Sequence, residues 1–160
     1  MQYVDDLALV RSTLPGRWIV AATNMPLWVT GQQRQPVVEY SVFSESPLRL
    51  RVEISYTDAA GRLKTLGGID RWHGNGFTWR GEGLKKLVRS HWHVAAIHRD
   101  IVTVRFDKSL VTPAGVDLFV PEGHETAELR SVVAVDPEAH GLSLEEFASL
   151  TWFDHTLPAR

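Results

Sequence analysis

The sequence predicts a mostly β protein, an eight-stranded antiparallel up-and-down β-barrel with a C-terminal α-helix packed on its outside. From Arg17 to about Val120, short segments with a two-residue period alternate with turn residues, and most connections are short. Past Glu122 the apolar residues recur at helical spacing instead. So many closely spaced strands favour a meander that closes into a barrel, because closure leaves no unpaired sheet edge.

Eight strand candidates follow one another along this region. The third shows the clearest alternation, because Leu48, Leu50, Val52, Ile54 and Tyr56 fall on one face and polar residues take the other. A Gly-Asn-Gly turn of the kind found in hairpins precedes the fifth candidate. The candidates in chain order are RWIVAATN, PVVEYSVFSES, PLRLRVEISYTDAAGR, LKTLGGIDRWHGNG, FTWRGEG, SHWHVAAIHRD, IVTVRFDKS and VDLFVPEG.

The C-terminal region carries the helical signals. Leu129 and Val133 lie one helical turn apart, and Ser143 precedes Glu146 by three residues, as in a capping box. A short strand-like run, 151–153, follows. Because no repeat, low-complexity tract or linker interrupts the chain, we expect residues 1–160 to form a single domain.

Composition excludes several classes of function. The formal net charge is −2, so no basic field favours nucleic acid as a partner. The chain has no cysteine, which excludes disulfides and thiolate chemistry and fits a reducing compartment. The start, MQYVDDLALVRS, lacks the basic head and apolar run of a signal peptide, and no stretch approaches the roughly 18 apolar residues of a membrane span. We therefore expect a soluble cytoplasmic protein, and its oligomeric state stays open.

A family resemblance adds to this prediction. Gly16-Arg17-Trp18 is similar to the Gly-x-Trp that opens the first strand of lipocalins, and a short helical segment, VDDLALVRSTL, precedes it as in that family. ETAELRSVVAV and HGLSLEEFASLTWF resemble the helix and last strand of bacterial lipocalins. The family's turn between strands six and seven is reduced to Arg99-Asp100, and its arginine near the end of strand eight is absent. The chain thus resembles an outlier of the lipocalin-like calycin superfamily, in which Trp18 is structural at the closed end.

The barrel interior is the predicted binding site, since eight strands are just wide enough to hold one small ligand. At the open end, the loop Asn24–Pro36 is long and partly apolar, which is typical of a lid over a cavity. We expect a carrier that binds and transports a small hydrophobic or amphipathic ligand without a cofactor; an interior filled by its own side chains is the alternative. The predicted ligand-binding residues are Met25, Leu27 and Trp28 of the loop, and Tyr40, Leu50, Val52, Ile54, Tyr56, Phe77, Trp79, His91, His93 and Phe106 of the strands, with Val104 beside them.

His91 and His93 raise an alternative function. At an i, i+2 spacing they share one face of a strand, but a catalytic zinc needs a third protein ligand, so we predict no metal site. Acid–base chemistry remains: an isomerase, cyclase or lyase in the same barrel could use either histidine with Tyr40, Tyr56 or Asp70. The sequence leaves open which face of this strand points inward.

Overall fold

A computed structural model describes residues 3–26, 33–83, 89–109 and 113–153. Its order of elements matches the predicted order of strands and helices. The elements are α1 (Leu7–Thr13), β1 (Gly16–Thr23), β2 (Gln33–Glu45), β3 (Leu48–Asp58), β4 (Leu63–Trp72), β5 (Phe77–Gly81), β6 (Arg89–His98), β7 (Ile101–Phe106), β8 (Gly115–Pro121), α2 (Leu129–Val135), a 3₁₀ helix (Glu138–His140), α3 (Leu144–Ser149) and β9 (Thr151–Trp152).

The strands form one closed antiparallel barrel. Each of β2 to β7 pairs with the next strand along the chain, and β8 pairs with β1. The ring closes where β1 pairs with β2, with Trp18 opposite Val38. The short β9 adds to the end of β1, where Trp152 lies opposite Ala22. The predicted eight-stranded up-and-down barrel is therefore confirmed.

The end of the barrel at Trp18 is closed by α1. Asp6 begins this helix as its N-cap, because its carboxylate accepts a hydrogen bond from the Leu9 amide at 3.1 Å. Val10 and Leu14 are fully buried in the same core as Trp18, whose indole N–H donates to the Leu14 carbonyl at 2.8 Å. The helix and the tryptophan together fill the base of the barrel.

The C-terminal helices pack on the outside, as predicted. Arg105 of β7 binds Glu146 of α3 at 2.8 Å and also donates to the carbonyl of Gly141. The Ser143–Glu146 capping box is present. An apolar layer lies beneath, formed by Ile19, Ala21, Ala22, Ile101, Val116, Leu118, Val120, Val133 and Leu142. In the described part of the chain, no helix has the length and hydropathy to span a bilayer.

The turn between β6 and β7 is Arg99-Asp100. Both residues adopt left-handed backbone conformations, with φ of 51° and 66°. Positive φ at two central residues is the geometry of a tight type I′ hairpin turn. The short hairpin fixes the register of β6 against β7, and that register decides which β6 side chains face inward.

Candidate functional site

The barrel encloses a cavity of about 150 Å³. It lies above the packed core, toward the end of the barrel opposite α1. Its wall is mainly apolar and includes five aromatic side chains. The lining residues are Val20, Met25, Val38, Tyr40, Val52, Ile54, Leu66, Asp70, Trp79, Ser90, Trp92, Phe106, Asp117 and Phe119.

Several of the predicted ligand-binding residues lie on this wall, and others do not. Those on the wall are Tyr40, Val52, Ile54, Trp79 and Phe106 of the strands and Met25 of the loop. Leu50 and Phe77 point inward but are fully buried in the core beneath the cavity, together with Val104. Tyr56 is half-buried and does not line the cavity. Leu27 and Trp28 lie outside the described residues.

The structure decides which face of β6 carries His91 and His93, a point that the sequence left open. Ser90, Trp92 and Val94 are the buried side chains of this part of β6, so strand alternation turns the two histidines to the outer face. His91 is exposed, and its Nδ1 lies 2.8 Å from the Thr78 hydroxyl.

The surroundings of His93 are those of the outer surface. Its ring packs edge-to-face against the Tyr3 ring, with 6.0 Å between the ring centroids. The half-buried imidazole lies in a surface groove with Asp107 and His73. Neither His91 nor His93 lines the cavity. Among the described residues, no group of three or more histidine, aspartate or glutamate side chains is arranged to hold a metal ion.

Two carboxyl groups lie on the cavity wall instead. Asp70 and Asp117 are 1% and 3% exposed. Asp70 accepts a hydrogen bond from the Trp92 indole N–H at 2.8 Å, and Asp117 accepts one from the hydroxyl of Thr23. Burial raises the pKa of each carboxyl to about 7, and the single hydrogen bond to each opposes that shift.

Further polar groups lie on the wall, on Ser90, Trp79 and Tyr40. The Ser90 hydroxyl and the Trp79 indole N–H are buried with no hydrogen-bond partner within the described ranges. Burial, with the nearby charges of Asp70 and Asp117, raises the pKa of Tyr40 well above its usual value. An apolar space with such groups on its wall can hold a ligand that is mostly apolar and carries a hydrogen-bonding head.

Sequence reasoning did not place Ser90, Trp92 or Asp117 in the site. In SHWHV the histidines were the predicted site residues, but the alternate residues are the ones that point inward. Asp117 did carry a signal. It is a lone acid in the apolar run VDLFV and has the same parity as Phe119, which also lines the cavity.

Gly68 lets the Trp79 ring reach the wall. A Cβ at Gly68 would lie 2.6 Å from Cε2 of Trp79 and 2.7 Å from the Arg80 carbonyl oxygen. We expect Gly68→Ala to lower the free energy of unfolding by about 1–3 kcal/mol, because the indole and the neighbouring strand must move. Urea denaturation followed by tryptophan fluorescence measures this change.

The neighbouring Gly67 provides the control. A Cβ there would meet mainly the end of the exposed Glu82 side chain, which can rotate away. We expect Gly67→Ala to change stability by less than about 0.5 kcal/mol. Equal effects of the two substitutions would show that the Trp79 ring does not depend on Gly68.

This architecture, a closed antiparallel barrel with an internal cavity and an external C-terminal helix, is a lipocalin-like calycin fold. No family model and no curated protein matches the sequence. The fold is similar to that of lobster apocrustacyanin A1, with a TM-score of 0.65, 10% identity, and coverage of 95% of this chain and 87% of that one. The cockroach allergen Per a 4 gives a TM-score of 0.63 and 11% identity over 91% and 88% of the chains. A triple mutant of bovine odorant-binding protein gives 0.52 and 13% over 88% and 93%.

Proposed function

We propose that the protein is a carrier that holds one small, mainly apolar ligand inside the barrel. The cavity of about 150 Å³ with aromatic side chains on its wall is the observation that carries this proposal. An apolar cavity of about this volume accepts a benzene-sized guest. The fold neighbour from cattle, which is named for odorant binding, supports the same kind of role. We propose that the carrier acts in the cytoplasm, because a chain without cysteine cannot form the disulfides that oxidising compartments support.

Phenylpropanol is a suitable probe, because it is uncharged and joins a benzene-sized ring, which such a cavity accepts, to a short chain that ends in a hydroxyl. We expect it to bind with a dissociation constant on the order of 100 µM, measured by calorimetry and by quenching of tryptophan fluorescence. Ile54→Trp should remove binding, because the larger ring fills the cavity from its wall.

Glu53→Trp is the matched control. It adds the same ring to the same strand, but at an exposed position on the outer face, so binding should be retained. Absence of binding to the unmodified protein, or equal binding to both variants, would contradict a ligand site inside the barrel.

An isomerase, cyclase or lyase is the second candidate, and one observation favours it. Two carboxyls with pKa values near 7 line an apolar cavity together with Tyr40, and such groups can exchange protons at neutral pH. The acid–base groups would then be Asp70 and Asp117 rather than His91 or His93. Turnover of a bound compound that is lost in Asp70→Asn or Asp117→Asn would support an enzyme. Activity that both variants keep would remove these two residues from the reaction.

A further inference from the structure

We propose that the cavity selects a small organic cation, a primary ammonium group on a short apolar or aromatic body, attracted by the buried carboxylates of Asp70 and Asp117. This inference rests on the proposed carrier function and names the ligand class of the same cavity. It follows from how the polar groups are placed around the barrel, from their charge, and from the buried hydroxyl that has no partner.

Topology puts the two acids on opposite walls. Asp70 lies on β4 and Asp117 on β8, four strands apart in a ring of eight. Tyr40 on β2 and Ser90 on β6 stand between them, so the alternate strands each contribute one polar side chain to the cavity. Acidic or hydroxyl oxygens therefore line the lumen on four sides, and the buried indole N–H of Trp79 on β5 lies on the same wall.

The charge of this lining favours a cation. Among the described residues on the wall, none is a lysine, arginine or histidine, so neither carboxyl has a cationic protein partner there. A buried carboxylate is costly unless it is paired, and an ammonium group would supply the missing charge. A bound carboxylate or phosphate would instead face two acids. The aromatic faces of Tyr40 and Trp92 also attract a cation and suit an apolar body.

The wall offers acceptors for a primary ammonium. An ammonium has three N–H donors, either carboxylate can accept from it, and the Ser90 hydroxyl is a further acceptor on the same cavity. Ser90 is only 6% exposed, and its hydroxyl is buried with no partner in the described chain. A hydroxyl without a protein partner at such depth is available to accept a hydrogen bond from a ligand atom.

Binding of a cation should depend on pH. The titratable groups on the described wall are the two acids and Tyr40, whose pKa is raised well above its usual value so that it stays neutral. Below about pH 7 the acids hold their protons, so an ammonium must displace one; above it the site is already ionised. The ligand's own amino group, with a pKa of about 10, stays protonated throughout.

Three probes of one shape separate charge from fit. Phenylpropylamine, phenylpropanol and phenylpropanoate are titrated into the full-length protein by calorimetry at about pH 8. We expect the amine to bind at least about tenfold more tightly than the alcohol, and the carboxylate to bind more weakly than the alcohol. Between about pH 8 and about pH 5 the amine's affinity should fall about 10- to 100-fold, while the alcohol's should not fall.

Substitutions assign the effect to the two acids. Asp70→Asn and Asp117→Asn should each lower the amine's affinity about tenfold and leave that of the alcohol, whereas Asp5→Asn, at an exposed position, should change neither. If either Asn variant does not fold, the unmodified protein provides the test. Calorimetry at about pH 6 in two buffers of different ionisation enthalpy reports the number of protons that the protein releases when the amine binds. Release of about one proton supports the proposal, and no release overturns it.

The outcomes also separate this inference from the carrier function. Alcohol binding with equal or weaker amine binding would overturn the choice of a cation and leave the carrier. If none of the three probes binds, the carrier function fails and the cation selectivity fails with it.

Discussion

Asp70→Asn is expected to stabilise the protein at about pH 8 and to leave its stability at about pH 4 nearly unchanged. Burial raises the pKa of Asp70 from 3.8 to about 7 in the folded protein, so the fold favours the protonated acid. Between these two pKa values the folded chain binds more protons than the unfolded chain. Stability is therefore fully present below about pH 4 and is lost as the pH rises through about 7.

The expected gain at about pH 8 is roughly 2–4 kcal/mol, because each unit of pKa shift corresponds to about 1.4 kcal/mol and Asn is never ionised. Asp117→Asn should act in the same direction, since burial raises its pKa to about 7 as well. Urea denaturation of each variant and of the unmodified protein across this pH range measures the difference.

Two histidines affect the pH dependence of stability in the opposite direction, and the comparison of each variant with the unmodified protein controls for them. Burial lowers the pKa of His93 and of His140, so their contribution is lost as the pH falls below about 6.5. Both are present in every protein compared, and the difference between variant and parent therefore cancels them. Asp5→Asn removes an exposed carboxyl and should leave the pH profile unchanged. Lower stability of Asp70→Asn at about pH 8 would contradict a buried carboxylate without a cationic partner at this position.

Trp92→Ala is expected to destabilise the protein by about 3–5 kcal/mol. The side chain is 3% exposed and stacks on Phe77 with ring centroids 4.7 Å apart. Its ring also packs against those of Tyr40 and Phe106, with centroid distances of 5.9 Å and 6.2 Å. Removal of the side chain therefore enlarges the cavity into the core. Thermal and urea unfolding report the loss, and a cost below about 1 kcal/mol would contradict a packed role for this ring.

Trp92→Phe tests the contribution of the indole N–H apart from the packing of the ring. The phenyl ring keeps part of the stacking but cannot donate to Asp70, and that hydrogen bond holds the pKa of the acid below what burial alone would produce. The pKa of Asp70 should therefore rise further in this variant. Trp152→Phe is the control, because that tryptophan packs in the outer layer against Phe147. Carboxyl titration by NMR measures this pKa. An equal pKa of Asp70 in Trp92→Phe and in the unmodified protein would show that the indole N–H does not stabilise the carboxylate.

The barrel could be predicted because its signals are local and repeated. The alternation in β3, with Val52 and Ile54 inward, needs only the two-residue period of a strand. The Ser143–Glu146 capping box is likewise a local pattern, and it forms as expected. These features depend on residues close together in the sequence, so they can be recognised without knowledge of the tertiary structure.

The site was harder to predict, because parity gives a face of a strand but not a height in the barrel. Leu50 and Val52 share a face, yet Leu50 lies in the core below the cavity and Val52 lies on its wall. In β6 both parities carry rings, so the pattern did not decide between His91 and Trp92. The pairing of Trp92 with Phe77 of β5 and Phe106 of β7 decides it, and those contacts form only when the neighbouring strands pair in register.

The acids depend on the same long-range geometry. Asp70 on β4 and Asp117 on β8 have three strands between them in sequence, and they face one cavity only after the ring closes. Their pKa values follow from burial, which no local pattern reports. The sequence could therefore indicate a cavity, but not the charge it presents to a ligand.

The binding site inside the barrel is tested most directly by a crystal structure of the protein with phenylpropylamine bound. The expected result is a phenyl ring among Tyr40, Trp92 and Phe106, with the ammonium nitrogen within hydrogen-bond distance of a carboxylate oxygen of Asp70 or Asp117. A probe bound only on the outer surface, or a barrel interior filled by its own side chains, would contradict it.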